Sequence, residues 1–129
     1  MRLRHLFAVA LAALMFSPLA LADSRFEAFS EERLQGAKEQ GGPVLVEVYA
    51  DWCSTCARQS PILESLLSED EFADYTALKL DWDEDEDKAR AMGAPRQSTL
   101  FVYSGGEQQE MSVAETNEDK LRDLLRKGL

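Results

Sequence analysis

The sequence predicts an α/β domain in which a mixed central β-sheet is sandwiched between helices. Residues 44–50, VLVEVYA, form a nearly continuous apolar run typical of a central strand covered on both faces. Residues 76–82, TALKLDW, alternate like a second strand, and the helical pattern between these two runs predicts a crossover that makes them parallel. Residues 99–103 and 108–113 flank the turn sequence SGGE, which predicts an antiparallel hairpin.

Capping signals place the helices. Ser30 precedes an acidic first turn and predicts a helix start, and apolar residues at helical spacing predict a second helix over about residues 53–68. The acidic segment 81–87 leads into a short helix that ends at Gly93, and Asn117 caps a final helix. The predicted order is helix, strand, helix, strand, helix, hairpin, helix. These elements make up a single domain.

Residues 1–22 have the layout of a secretory signal peptide. Arg2 and Arg4 give a positive start, an apolar run follows, and the small-x-small triplet 20–22 ends it. An uncleaved membrane anchor is the alternative, but the run is short for a bilayer. We therefore expect a periplasmic domain of residues 23–129 with no stable membrane insertion after cleavage.

Composition narrows the function classes. Cleavage would remove two of the 14 Lys and Arg residues and none of the 24 Asp and Glu residues, which leaves a net charge of −12. This acidity argues against nucleic acid and anionic membrane surfaces as partners. Cleavage would also remove His5, the one histidine, so Cys-His catalysis and Cys-His zinc or copper sites are excluded. Export would place the cysteines where disulfides persist.

Both cysteines lie in one short stretch, DWCSTCARQSP, as Cys53 and Cys56. A strand that leads directly into Cys53 puts its sulfur at a helix N-terminus, where backbone N–H groups favour the thiolate that attacks disulfides. Cys56 is one turn further and can resolve a mixed disulfide, and Trp52 should pack beside the pair. Half a zinc site would need two further soft ligands, and a structural disulfide is the other alternative. The strand–turn–helix context favours a redox pair without cofactor or metal.

Glu47 is an anomaly within the first predicted strand. An ionised carboxylate there costs several kcal/mol, so its pKa should be raised or its charge paired. It lies six residues before Cys53, where it could exchange a proton with Cys56, and Lys79 on the neighbouring strand is its predicted partner. The alternative is a solvated position on an edge strand.

The residues around the cysteine pair resemble those of a known protein family. The segment VLVEVYADWCSTCARQSP resembles the active-site segment of thioredoxin-like proteins, and YADWC is particularly similar to the C-terminal domain of the membrane thiol:disulfide interchange reductase. The shared features are the strand, the acid, W-C-x-x-C and Pro61; KLDWD with Lys79 and STLFVYSGGE resemble the family's second strand and last hairpin. The resemblance implies a thioredoxin-like fold with Cys53 attacking, Cys56 resolving and Glu47 as the buried acid.

One position departs from the family pattern. Thioredoxin-like proteins carry a cis-proline directly before the threonine of the hairpin strand, whereas this chain has Ser98 before Thr99. A cis bond before a residue other than proline costs about 2.5–4 kcal/mol. We therefore predict a trans Gln97–Ser98 bond with the Ser98 hydroxyl near the sulfurs, where it could hydrogen-bond the Cys53 thiolate or leave room for a metal ion.

The predicted function is that of an exported thiol–disulfide oxidoreductase. It would use Cys53 and Cys56 to reduce or exchange disulfides in other exported proteins, with a membrane-embedded redox partner. Because Ser54 and Thr55 carry no charge, nothing local makes the pair a strong oxidant. Two alternatives stay open: Cu(I) handling by the two thiolates, and a non-catalytic thioredoxin-like binding module.

Overall fold

A computed structural model describes residues 23–129. The predicted signal peptide lies outside these residues. The described part of the chain contains five strands: β1 (Phe26–Ala28), β2 (Val44–Tyr49), β3 (Thr76–Asp81), β4 (Thr99–Ser104) and β5 (Glu107–Val113). The same residues form four α-helices: α1 (Glu31–Gln40), α2 (Ser54–Leu67), α3 (Trp82–Met92) and α4 (Glu118–Arg126). The predicted α/β class is confirmed.

The strands form one mixed sheet in the order β1-β3-β2-β4-β5. Strands β2 and β3 are parallel, whereas β4 is antiparallel to both β2 and β5, as the crossover and the hairpin pattern predict. Strand β1 was not predicted, because three residues are too few to show a pattern; it pairs parallel with β3. The central position of β2 matters for function, because this strand leads into Cys53.

The helix caps agree with the sequence. The side chains of Ser30 and Asn117 accept hydrogen bonds from Arg33 and Lys120 in the first turns of α1 and α4. Gly93 ends α3 in a left-handed conformation. Within residues 23–129, no helix is both long and apolar enough to cross a membrane.

Two apolar layers cover the two faces of the sheet. One layer joins α1 and α3 to the face that carries Val46 and Val48. The other joins α2 and α4 to the face that carries Leu45. Because side chains alternate along a strand, Glu47 lies on the same face as Leu45, beneath α2.

Candidate active site

The cysteine pair lies at the start of α2, as predicted. Cys53 is the N-cap residue, and its Sγ accepts a hydrogen bond of 3.2 Å from the backbone N–H of Cys56. The two cysteines form a disulfide with their Cα atoms 5.3 Å apart. Both residues are buried, Cys53 at 6% and Cys56 at 3% exposure.

Ser98, which directly precedes β4, contacts both sulfurs of the pair. Its peptide bonds are trans, and its Oγ lies 3.2 Å from Cys53 Sγ and 3.0 Å from Cys56 Sγ. Since disulfide sulfurs carry no hydrogen, the Ser98 hydroxyl is the donor. The predictions of a trans bond and of a hydroxyl beside the sulfurs are therefore confirmed.

The backbone of Ser98 is left-handed, with φ 63°. Its N–H donates to the Val48 carbonyl at 2.7 Å, and its carbonyl accepts from the Ala114 N–H at 3.0 Å. A proline could not take this conformation, because its ring holds φ near −65° and removes the N–H. The loop before β4 is thus built around serine rather than around the proline of the resembling proteins.

The neighbours of Ser98 support the loop. Thr99 is buried at the start of β4, and its hydroxyl donates to the Arg96 carbonyl at 2.7 Å. Gln97 is half-buried, and its carbonyl accepts from the Arg96 guanidinium at 3.2 Å. The contacts of these two predicted site residues hold the turn that presents Ser98.

Gln59 is a site residue that the sequence analysis missed. Its side chain is fully buried in α2, and its amide Nε2 donates to the carbonyls of Ser98 at 3.4 Å and Glu115 at 2.9 Å. These bonds tie α2 to the loop that carries the hydroxyl. A signal existed, since Gln59 falls four residues before Leu63 on the apolar stripe of the helix.

Glu47 is fully buried within the central strand, which rules out the solvated edge position. Its Oε1 accepts a hydrogen bond from the Ser60 hydroxyl, and no partner for Oε2 exists among residues 23–129. Burial raises the pKa of the Glu47 carboxyl, while the Ser60 hydrogen bond and the Lys79 charge act in the opposite direction. The direction of this shift is the one that the sequence predicts for a buried acid without an ion-pair partner.

The pairing predicted for Lys79 needs correction. Glu47 and Lys79 are register neighbours on β2 and β3, yet no ion pair joins them in the described part of the chain. The Lys79 ammonium lies instead 4.5 Å from the ring centroid of Tyr49 and 5.7 Å from that of Phe26. These rings attract the cation while leaving it near water, so Lys79 acts on Glu47 through its charge alone.

Trp52 is 63% exposed, directly before the pair. Its indole N–H donates to the carboxylate of Asp83 at 2.8 Å, near the start of α3. The ring is therefore fixed by α3 and turned largely to solvent, more open than the predicted packing beside the cysteines implied.

A cleft of about 250 Å³ opens beside the pair, on the side of α2. Pro61, inside α2, contributes to its wall. The complete lining is Tyr49, Ala50, Asp51, Cys53, Cys56, Ala57, Ser60, Pro61 and Lys79. Glu47 does not reach this cleft, whereas Ser60, its hydrogen-bond donor, does.

A disulfide at a helix N-terminus, contacted by a hydroxyl donor and backed by a buried acid, defines a dithiol–disulfide redox site. The family model for thioredoxin matches residues 21–127. This chain belongs to the thioredoxin family, and Cys53 and Cys56 are its CxxC pair. Its chemistry is therefore dithiol–disulfide oxidoreduction.

Curated relatives agree in sequence. Thioredoxin of Bacillus subtilis is 31% identical over 112 residues, which cover 86% of this chain and 100% of the relative. Thioredoxin of Chlamydia muridarum is 36% identical over 86 residues, which cover 67% of this chain and 82% of the relative.

Solved structures agree in fold. Trxlp from Edwardsiella tarda EIB202 superposes with a TM-score of 0.75 at 34% identity, over 78% of this chain and 97% of that one. A thioredoxin mutant from Halobacterium salinarum superposes with a TM-score of 0.70 at 30% identity, over 84% and 95%. The thioredoxin-like fold predicted from the active-site segment is thus confirmed.

Proposed function

We propose that this protein is an exported thioredoxin-like reductase that acts on disulfides of other exported proteins. The observation that carries the proposal is the buried Cys53–Cys56 pair at the N-terminus of α2 with the Ser98 hydroxyl on both sulfurs. A donor at that place stabilises the thiolate that begins the exchange. The signal-peptide layout of residues 1–22 supports export to the periplasm.

The exchange has two steps. The Cys53 thiolate attacks one sulfur of the partner's disulfide, which forms a mixed disulfide and releases one partner thiolate. Cys56 then attacks the Cys53 sulfur, so the Cys53–Cys56 bond forms and the second partner thiolate leaves. The partner gains two electrons and the pair loses two. Glu47 accepts the proton of Cys56 during the second step and returns one to a leaving thiolate.

A membrane-embedded dithiol partner would return two electrons and two protons to the oxidised pair. The exposed Trp52, held by Asp83 beside the disulfide, offers an apolar surface for such encounters. Residues 23–129 hold no group of three or more His, Cys, Asp or Glu side chains that could bind a metal ion, an observation that does not bear on a copper site made of two thiolates.

Trapping tests this proposal. The full chain with Cys56→Ala should accumulate mixed disulfides through Cys53 in the periplasmic fraction, and a thiol reductant should release them. The matched control is the double variant Cys53→Ser, Cys56→Ala, which should trap nothing. Purified wild-type protein should also reduce a disulfide of a captured partner. Localisation of the chain to the cytoplasm, or adducts equal in both variants, would contradict the proposal.

A further inference from the structure

The Glu47 carboxyl is cut off from solvent. Its side chain is fully buried and contributes nothing to the wall of the cleft beside the cysteines. Among the described residues, its one hydrogen-bond partner is the hydroxyl of Ser60, which donates to Oε1, while Oε2 has none. A proton that enters or leaves this carboxyl therefore has one polar group to pass through.

Ser60 faces both the acid and the cysteines. It lies four residues after Cys56 on α2, so the two side chains share one face of the helix, a turn apart. Both line the cleft of about 250 Å³, whose walls are partly polar and which has room for water. The half-buried hydroxyl thus has Glu47 on one side and the space beside Cys56 on the other.

We propose that Ser60 is the proton relay between Glu47 and the cleft beside Cys56. The proposal rests on the proposed function, because it concerns the step in which Cys56 resolves the mixed disulfide. The Glu47 carboxylate takes the Ser60 hydroxyl proton, and Ser60 takes in turn the proton that Cys56 gives up through the cleft. The Cys53–Cys56 bond forms, the bond from Cys53 to the partner sulfur breaks, and the electron pair leaves with the partner thiolate. The proton on Glu47 returns by the same hydroxyl.

Other charges near this path stay in place when Ser60 changes. Lys79 on β3 and Glu64 on α2 act on Glu47 with opposite signs, and Tyr49 and Asp51 line the cleft. Removal of the Ser60 hydroxyl deletes a hydrogen bond that lowers the pKa of Glu47. The pH dependence of the resolving step should therefore shift to higher pH in Ser60→Ala.

A small aromatic disulfide that releases a coloured thiolate at each step separates attack from resolution in a stopped-flow experiment. In reduced wild-type protein, the first thiolate reports attack by Cys53 and the second reports resolution by Cys56. Ser60→Ala should slow the second release by roughly tenfold or more, the lower range of general base catalysis, and move its pH profile upward. The first release should keep its wild-type rate. A folding defect in the variant would slow both releases, so an unchanged first release excludes it.

Ser60→Thr is the matched control, because it keeps a hydroxyl and should keep the wild-type second phase. The proposal is overturned if Ser60→Ala retains the wild-type rate and pH profile of that phase. Glu47→Gln separates the role of Glu47 from that of Ser60: a normal second phase in this variant would show that Glu47 is not the proton acceptor. If Glu47→Gln is slow while Ser60→Ala is normal, the relay alone is wrong.

Discussion

At the carboxyl end of β2 lie a buried acid with few partners and a residue with a left-handed backbone, whereas the polar groups at the amino end of β3 are paired. Among residues 23–129, Glu47 has one donor for its two oxygens, and Ser98 carries a left-handed backbone. Near the start of β3, the Tyr75 hydroxyl donates to the Leu125 carbonyl, and Glu71 accepts from the Arg126 guanidinium. The redox end thus holds groups that cost stability, while the opposite end satisfies its own.

The two carboxyls show the contrast most clearly. Burial raises the pKa of Glu47, whereas the hydrogen bonds from Arg126 lower the pKa of Glu71. Relative to the unfolded chain, folding therefore shifts Glu47 towards its protonated form and Glu71 towards its ionised form. Their contributions to folding must change in opposite directions with pH.

The largest effect in this comparison is expected for Glu47→Gln. Wild type gains stability from keeping the Glu47 carboxyl neutral, and this gain is fully present below the usual carboxyl pKa of 4.5. The gain is lost as the pH rises through the raised pKa of Glu47 in the folded protein. The variant does not titrate, so it should gain stability relative to wild type between pH 4 and pH 8. Urea unfolding of the oxidised proteins at pH 4 and pH 8 measures this difference.

Glu71→Gln is the control from the other end. The ionised Glu71 carboxylate should stabilise the fold above the usual carboxyl pKa, and this stabilisation should fall as the pH drops through the lowered pKa of Glu71. The substitution at this exposed residue should therefore have a small effect on the free energy of unfolding, with the opposite pH dependence to that of Glu47→Gln. Equal responses of the two variants at both pH values would show that the two carboxyls do not differ in how folding changes their pKa.

A smaller effect is expected for Tyr75→Phe at the paired end. The substitution removes a buried hydrogen bond to the Leu125 carbonyl and should lower the free energy of unfolding by about 1 kcal/mol. Disulfide exchange by Cys53 should not change, which single-turnover kinetics on the same preparation would check. A loss of exchange activity larger than the loss of folded protein would show that the two ends are coupled.

The smallest effect is expected for Ala114→Gly. Ala114 has φ 61°, next to Ser98, but its methyl group makes no polar contact. Glycine adopts this conformation without steric cost, so the substitution should be neutral or stabilise the fold by a few tenths of a kcal/mol. Thermal unfolding detects this change. A clear destabilisation would mean that the left-handed turn at Ala114 is not strained.

The sequence was informative wherever spacing along the chain determines position in space. Cys53 after a buried strand, Glu47 within it and Ser98 before Thr99 all reach the site for that reason. Ser60 was missed, although a polar residue four positions after Cys56 must share its helix face.

The prediction for Lys79 failed because spacing along the chain does not determine where a long side chain points. Strand register correctly made it the neighbour of Glu47, but register does not determine the rotamer of a long side chain. The rings of Tyr49 and Phe26, which lie on different strands, decide where the ammonium lies. The left-handed backbone of Ser98 could not be predicted either, because it depends on hydrogen bonds with Val48 in β2 and with Ala114 just after β5.

In the reduced protein, the Ser98 hydroxyl is expected to stabilise the Cys53 thiolate. The pH dependence of Cys53 alkylation in reduced wild type, Ser98→Ala and Ser98→Gly measures this effect. A hydrogen bond to a charged group is worth about 1.5–3 kcal/mol, so both variants should react roughly tenfold or more slowly below the pKa of the Cys53 thiol, with that pKa raised. Coincident profiles for all three proteins would show that the hydroxyl contributes nothing to the thiolate.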